Sequence, residues 1–451
     1  MRVLFLLWAL TFPAMAAAIT EFSLELGVED IYFHQAATEG TDYHNQWSVF
    51  LEPEVYTEWN DGLDSFTVAL FGRKDQRDDN RTHADIREAL WIHAAPTWEV
   101  QLGVGKVFWG VTESLHLVDV INQTDFVDNI NLEEKLGQPM AKLSLVQDWG
   151  VLDFYLLPYF RDRTFPGENA RLRSPVVVDT DNIVYESSKG QEHVDTAIRW
   201  SQYYGDWEWA LSYFSGTNRD PRLIPNSMLD PYGSFDDWIT LPGGSEPVPT
   251  KFMGDFVPEF IQVYDQIEQY GVELQYFYGG WVFKGEARER MGVCWENRVL
   301  NPTTTNPTIN YCNDPFTRAD VGFEYTQTAV FETFADIGWI MEYLWDSRGV
   351  DSPEPYENDL MLGSRLTLND EANSSLLVAV IYDRENYEQS YNIEASRRLG
   401  DSMTLSLAGT RFPHVARPTA FQMVTTPLGT FSKLSPFAGE DFIRMDLVYF
   451  F

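Results

Sequence analysis

The chain has 451 residues and carries 68 Asp and Glu against 32 Lys and Arg, a formal net charge of −36. That balance excludes nucleic acid as a partner, because phosphate binding is driven by Lys and Arg neutralising the backbone. The length exceeds one ordinary soluble domain, yet no Pro/Gly/Ser-rich linker, low-complexity tract or internal repeat divides it.

At the amino end, Met1-Arg2 is a short basic start and Val3 to Phe12 an apolar run. Ala14-Met15-Ala16 is a small-x-small cleavage site. Together they predict a secretory signal over residues 1–16, with the mature chain beginning near Ala17. No later apolar run is long enough for a membrane helix. Residues 17–451 therefore read as one domain.

From there, apolar and polar residues alternate in short segments. Period-two alternation is the mark of a strand with one apolar and one polar face. It predicts strands near 20–34, 45–58, 64–73, 83–93, 97–107, 139–147, 149–160, 192–203, 206–216, 268–278, 280–291, 316–328, 331–345, 358–369, 374–385, 388–398, 401–411 and 441–451, eighteen in all with sixteen as the lower bound. Short connections such as Asn60-Asp61-Gly62, Ala94-Ala95-Pro96, Tyr204-Gly205 and Gly279-Gly280 tend to alternate with long ones at 108–138, 161–191, 217–267, 292–315 and 412–440. A soluble sandwich has no reason to gather its long loops at one end.

The 161–191 loop holds a group of arginines, Arg161, Arg163, Arg171 and Arg173. Two readings stand: an anion or lipopolysaccharide-phosphate site, or pairing with local acids such as Asp162 and Glu168. The seven histidines (His34, His44, His83, His93, His116, His193 and His414) fall in no nucleophile-elbow or zinc-protease motif, so no catalytic residue, metal or cofactor is expected.

One hairpin shows how the faces divide. A two-residue Gly279-Gly280 turn sets Tyr278 opposite Trp281, Gln275 opposite Lys284 and Glu273 opposite Glu286. Glu273, Gln275, Lys284, Glu286 and Arg288 then share one face; Val272, Leu274, Tyr276, Phe283 and Ala287 share the other. A Lys or Arg facing lipid costs about 2–4 kcal/mol at the bilayer midplane, so the charged row is assigned to an interior. It is either a polar wall for a solute or a ladder that fills the lumen. Cys294 and Cys312 lie in one hydrophilic stretch. In an exported chain they read as a disulfide stapling a loop.

The chain closes on Asp441-Phe-Ile-Arg-Met-Asp-Leu-Val-Tyr-Phe-Phe451. Ile443, Met445, Leu447, Tyr449 and Phe451 lie on one face, Arg444 and Asp446 on the other. This ending resembles the C-terminal signal of Gram-negative outer-membrane β-barrels, which is read by the barrel-assembly machinery. The predicted fold is an all-β transmembrane antiparallel barrel. Its lipid face is apolar and its lumen polar, short turns and both termini are periplasmic, and long loops are extracellular beside lipopolysaccharide. The aromatic content, 15% of the chain, suits interfacial girdles. The acidic surplus has two readings: a negative lumen, or acidic outer loops that bridge cations to lipopolysaccharide.

Two stretches resemble a family of outer-membrane barrels related in pattern to alginate-export-like porins. One is Gly105-Lys106-Val-Phe-Trp109-Gly110 followed by Asp119-Val-Ile-Asn122-Gln-Thr-Asp125, where Gln123 replaces the family's usual Pro. The other runs Tyr264-Asp-Gln-Ile-Glu-Gln-Tyr-Gly271-Val-Glu-Leu-Gln275 and on through Gly280-Trp281-Val-Phe-Lys284-Gly-Glu286. The resemblance implies a porin or channel for a small or polymeric solute, not an enzyme. It also implies that the Trp109–Asp125 segment folds inward and narrows the pore. Val118, Val120 and Ile121 would then meet the wall, and Asp119, Asn122 and Asp125 would face water; the alternative is that these residues only cap the loop turn. Lys106 falls on the lipid side by simple alternation, or inward if a bulge intervenes. Acids such as Glu273, Glu286, Glu394 and Asp446, opposed by Lys284, Arg288, Arg365 and Arg444, predict mild cation selectivity. The alternative function is a plugged barrel, with the 217–267 loop as plug, that hands over lipid or hydrophobic compounds or acts as a surface binding protein.

Overall fold

The alternating segments pair edge to edge into a closed ring. The computed structural model describes residues 19–38, 40–225, 238–239, 248–249, 259–293, 315–419 and 432–451. The signal segment, Cys294 and Cys312 lie outside the described residues. In chain order the strands are β1 (Ile19–Phe33), β2 (Asn45–Trp59), β3 (Asp64–Asp75), β4 (Ala84–Ala95), β5 (Trp98–Gly105), β6 (Gln138–Gln147), β7 (Gly150–Leu157), β8 (Val177–Tyr185), β9 (Asp195–Tyr204), β10 (Trp207–Thr217), β11 (Arg222–Pro225), β12 (Trp238–Ile239), β13 (Val248–Pro249), β14 (Glu259–Tyr264), β15 (Gln266–Tyr278), β16 (Trp281–Met291), β17 (Phe316–Gln327), β18 (Asp336–Asp346), β19 (Asn358–Thr367), β20 (Ser375–Asp383), β21 (Gln389–Arg398), β22 (Met403–Arg411) and β23 (Phe442–Phe450).

An 18-stranded antiparallel sheet omits only β8 and β11–β14. Each of its strands pairs with the next, and β23 closes the ring on β1, with Phe442 opposite Phe33 and Phe450 opposite Glu25. Closure leaves no unpaired edge, which is what a bilayer demands of a sheet. The outer face carries exposed apolar side chains, among them Leu26 and Val28 on β1, Val272 and Leu274 on β15, and Ile443, Met445 and Leu447 on β23. At the short-turn end these give way to an exposed aromatic belt that includes Tyr204, Trp207, Tyr278, Trp281 and Tyr449.

The register of β15 on β16 is Tyr278 to Trp281, Gln275 to Lys284 and Glu273 to Glu286. The turn between them needs a left-handed residue, and Gly279 supplies it at φ 58°. Two differences from the sequence expectation have local causes. The strand expected from 331 begins at Asp336, because Ala329, Phe331 and Glu332 adopt left-handed backbone around a short 3₁₀ turn. The five extra strands lie inside long connections. There β14 pairs in parallel with β8 and antiparallel with β11. From Phe260 to Tyr264 β14 is buried throughout, so it shows no alternation to read.

Candidate functional site: a loop across the lumen

Residues 106–137 connect β5 to β6 and turn into the ring. Asn122 clasps the base of this loop. Its Oδ1 accepts from Val107 N at 2.8 Å, and its Nδ2 donates to Gly105 O and Leu136 O, each at 2.9 Å. One amide thus serves both arms, satisfying backbone groups that would otherwise be orphaned in a buried place. The arms pair further through Leu136 N to Gln123 O and Asp125 N to Glu134 O, both 2.8 Å.

The near end is fixed to β4 and to the 76–83 turn. Asp125 accepts from Arg87 at 2.8 Å, Thr164 at 2.9 Å and His83 at 3.0 Å. Burial opposes ionisation of Asp125, but the His83 hydrogen bond and charge and the Arg87 guanidinium outweigh it and hold the carboxyl at about 2. A β-bulge makes this contact: Ala69 faces Glu88 and Leu70 faces Ile86, leaving Arg87 as the extra residue. His83 spends its second ring nitrogen on Arg81 O at 3.1 Å, so its role is to tie.

The far end lies on the opposite wall. Glu286 on β16 accepts from Val111 N at 2.6 Å, Thr112 N at 3.0 Å and the Thr112 hydroxyl at 2.7 Å. Glu342 on β18 accepts from Glu113 N at 2.7 Å and Ser114 N at 2.8 Å. Gly110 makes the approach possible: it sits at φ +139°, and a Cβ there would lie 2.9 Å from Glu286 Oε1. Glu113 pairs with Lys284 at 2.7 Å and with Arg365 at 2.8 Å. Burial alone would raise the Glu113 carboxyl; Lys284 and Arg365 outweigh it and hold it below its ordinary value. Arg365 stands on β19, reached from β5 by way of β6, β7, β9, β10, β15, β16, β17 and β18, half-way round the 18-stranded ring. The loop therefore spans the lumen.

Between its ends the loop builds a core inside the barrel. Trp109, Val118, Val120 and Ile121 join Tyr155 of β7, Phe214 of β10 and Ile267 of β15. Trp109 meets the Tyr155 ring edge-on at 5.6 Å.

This places the sequence candidates, and it corrects several. Asp119, Asn122 and Asp125 do not face water: Asn122 is 2% exposed and Asp125 0%. Both are spent on holding the loop. Burial pushes the Asp119 carboxyl up, although Lys135 lies 3.3 Å away. Trp109 is a core residue. Glu273, Glu286 and Arg288 face inward but are covered: Glu273 is forked by Arg199 at 2.9 and 2.8 Å, and Arg288 is paired with Glu354 at 2.7 Å. Gln275 and Lys284 are half-buried under the loop. Arg444 faces the lumen and pairs with Asp446 at 3.0 Å. The arginines of the 161–191 loop are not one cluster. Arg161 pairs with Asp85, Arg163 with Asp220 and Arg171 with Glu440, all distant in sequence, while Asp162 takes the Tyr185 hydroxyl. Lys106 is exposed and lies within electrostatic reach of Glu88.

The wall from β20 through β23 to β4 is covered only in part: Asp125 and Asp128 of the loop meet Arg87 and Arg73 there, and other inward residues are left clear. Its inward rows include Glu25 opposite Glu52, then Glu54, Glu88 and Glu394. Glu54 and Glu394 are exposed, and Glu133 of the loop faces Glu394 and Arg444 across the gap. The motif reading passed over Glu25, Glu52 and Glu54, although their even spacing in β1 and β2 marks one face. Among the described residues no acidic or histidine cluster could hold a metal ion.

No family profile and no curated protein matches the chain. Among solved structures, OpdQ of Pseudomonas aeruginosa aligns at 9% identity over 96% of this chain and 97% of that one, with TM-score 0.46. A BenF-like porin from Pseudomonas fluorescens Pf-5 aligns at 8% over 97% and 98%, with TM-score 0.49. The outer membrane channel DcaP of Acinetobacter baumannii aligns at 10% over 98% and 99%, with TM-score 0.43. The barrel assignment rests on the strand register described above rather than on these likenesses.

Proposed function

We propose that the protein is an outer-membrane channel of a Gram-negative bacterium. In this reading it admits small hydrophilic solutes, with a weak preference for cations, through the sector that the inner loop leaves open. Its short turns and termini are periplasmic, its long loops meet lipopolysaccharide, and β23 carries the assembly signal. The observation that carries the reading is the Glu113 tie to Lys284 and Arg365, which stretches the loop across the ring; in this reading the loop narrows the lumen and leaves a passage beside it. Single-channel recording of purified protein in planar bilayers tests it. Glu113→Ala should raise conductance and current noise while costing only about 1 kcal/mol, since the pair is partly solvated. An unchanged conductance in the folded variant would count against a pore set by this loop.

The core inside the ring favours one rival, a plugged barrel that binds a hydrophobic compound. Zero conductance in the folded wild type would select it. We further propose that Cys294 and Cys312 are bonded; labelling of both thiols on intact cells without reductant would refute this.

A further inference from the structure

We propose that the long-loop mouth of the open sector is a binding site for organic ammonium ions, with the amine at Asp78 and an apolar body against Ile31, Phe126, Leu172 and Phe442. The site deepens the channel reading and rests on it.

A small pocket of about 40 Å³ opens there between the β1, β2 and β23 wall and three loop segments, 76–83, 126–130 and 166–172. Ile31 and Phe442 come from the wall, while Phe126 and Leu172 come from the loops. The pocket therefore lies beside the route that the inner loop leaves free. A solute entering by that sector passes it.

The charges around the pocket cancel except at one point. Arg81 is spent: it bonds both oxygens of Glu29, at 2.5 and 3.0 Å, and Asp75 at 3.0 Å. Asp128 is held by Arg73 at 2.8 Å. Arg444 has Asp446 at 3.0 Å. Asp78 alone has no ion pair among the described residues, and only 2% of its surface is exposed. One of its oxygens accepts from Asn80 N at 3.0 Å and Gly167 N at 3.1 Å. Burial pushes its carboxyl up from the ordinary value, and the Asp75 charge adds to this while Arg81 opposes it.

A desolvated carboxylate beside apolar walls has a specific chemical complement. A cation neutralises it, and a hydrocarbon attached to that cation replaces water on the walls. An inorganic cation gains the first term only. A carboxylate-bearing solute would meet Asp78 as a like charge.

The test uses full-length protein in planar bilayers bathed in KCl, with n-hexylammonium, methylammonium or hexanoate added on the long-loop side. Hexylammonium should block the current more strongly than methylammonium, and each methylene that the pocket buries should strengthen the block about fourfold. Asp78→Asn should weaken the block about tenfold, the loss expected for a hydrogen bond to a charged group. Leu172→Asn should flatten the dependence on chain length and leave methylammonium unaffected; it carries the test if Asp78→Asn does not fold. Block that is unchanged in Asp78→Asn, or hexanoate as potent as hexylammonium, overturns the site. If the folded wild type does not conduct, the channel reading fails by itself. Calorimetric titration of hexylammonium into detergent-solubilised protein then decides the site: a tenfold loss in Asp78→Asn supports it, and equal affinity or no binding heat overturns it.

Discussion

The two halves of the lumen obey one alternation rule and reach opposite ends. From β6 to β19 the inward rows meet the loop, so Glu273, Glu286 and Glu342 are each at most 2% exposed and serve as hydrogen-bond acceptors or ion-pair partners. From β20 to β4 the cover is partial: Arg73 and Arg87 meet Asp128 and Asp125 of the loop and Glu29 meets Arg81, but Glu54 and Glu394 remain exposed. The residue types are the same. What differs is whether a second piece of chain lies against them. Inward-facing and pore-lining are therefore distinct properties.

A new charge should be ruinous where chain covers the wall, and loss of a charge harmless at the uncovered acids. Ile121→Asp places an unpaired carboxylate in the lumen core and should cost about 4 kcal/mol or more, whereas Glu394→Gln should change stability by less than about 0.5 kcal/mol. Urea unfolding followed by heat-modifiable gel mobility measures both. Equal effects would erase the distinction between the halves.

A smaller effect tests how the filled half is anchored. Asp125, whose carboxyl is lowered from 3.8 to about 2, contributes about 2 kcal/mol through its pairing. A lowered acid contributes above its unfolded value and loses that contribution as pH falls through the folded one. The difference between wild type and Asp125→Asn should hold above about pH 4 and vanish near pH 2. On the other side, burial lowers His83, but the Asp125 hydrogen bond and charge outweigh it and raise it. Its share is present below its ordinary 6.5 and is lost as pH rises through the raised value, so the pair is strongest in mildly acidic solution. A pH-independent difference would mean that Asp125 acts by shape alone.

The smallest effect sharpens the open half. Glu54→Gln with Glu394→Gln should move the reversal potential under a KCl gradient toward zero, while Glu273→Gln should leave it unmoved and lower stability instead. The shift should fade near 1 M salt, where the screening length falls to about 3 Å. A Glu273→Gln variant that alters selectivity would show that the covered half also reaches the ions.

Much of the barrel was legible along the chain. Alternation is a local property: the residues that put Ile443, Met445 and Leu447 on one face and Arg444 on the other lie within one strand, and Gly279 declares its own turn. The eighteen segments therefore followed from their own residues. Asn122 and Asp125 were picked out as important, but their roles were not legible, because Asn122 acts on Gly105 and Leu136 and Asp125 on His83 and Arg87. Nor could the sequence separate Glu286 from Glu394. Both are acids on inward faces; one lies under Val111 and Thr112 and the other does not. Strand, face and turn are set by neighbours along the chain, so sequence alone determined them. Cover, pairing and passage depend on where a distant segment comes to rest, and only the tertiary structure decided them.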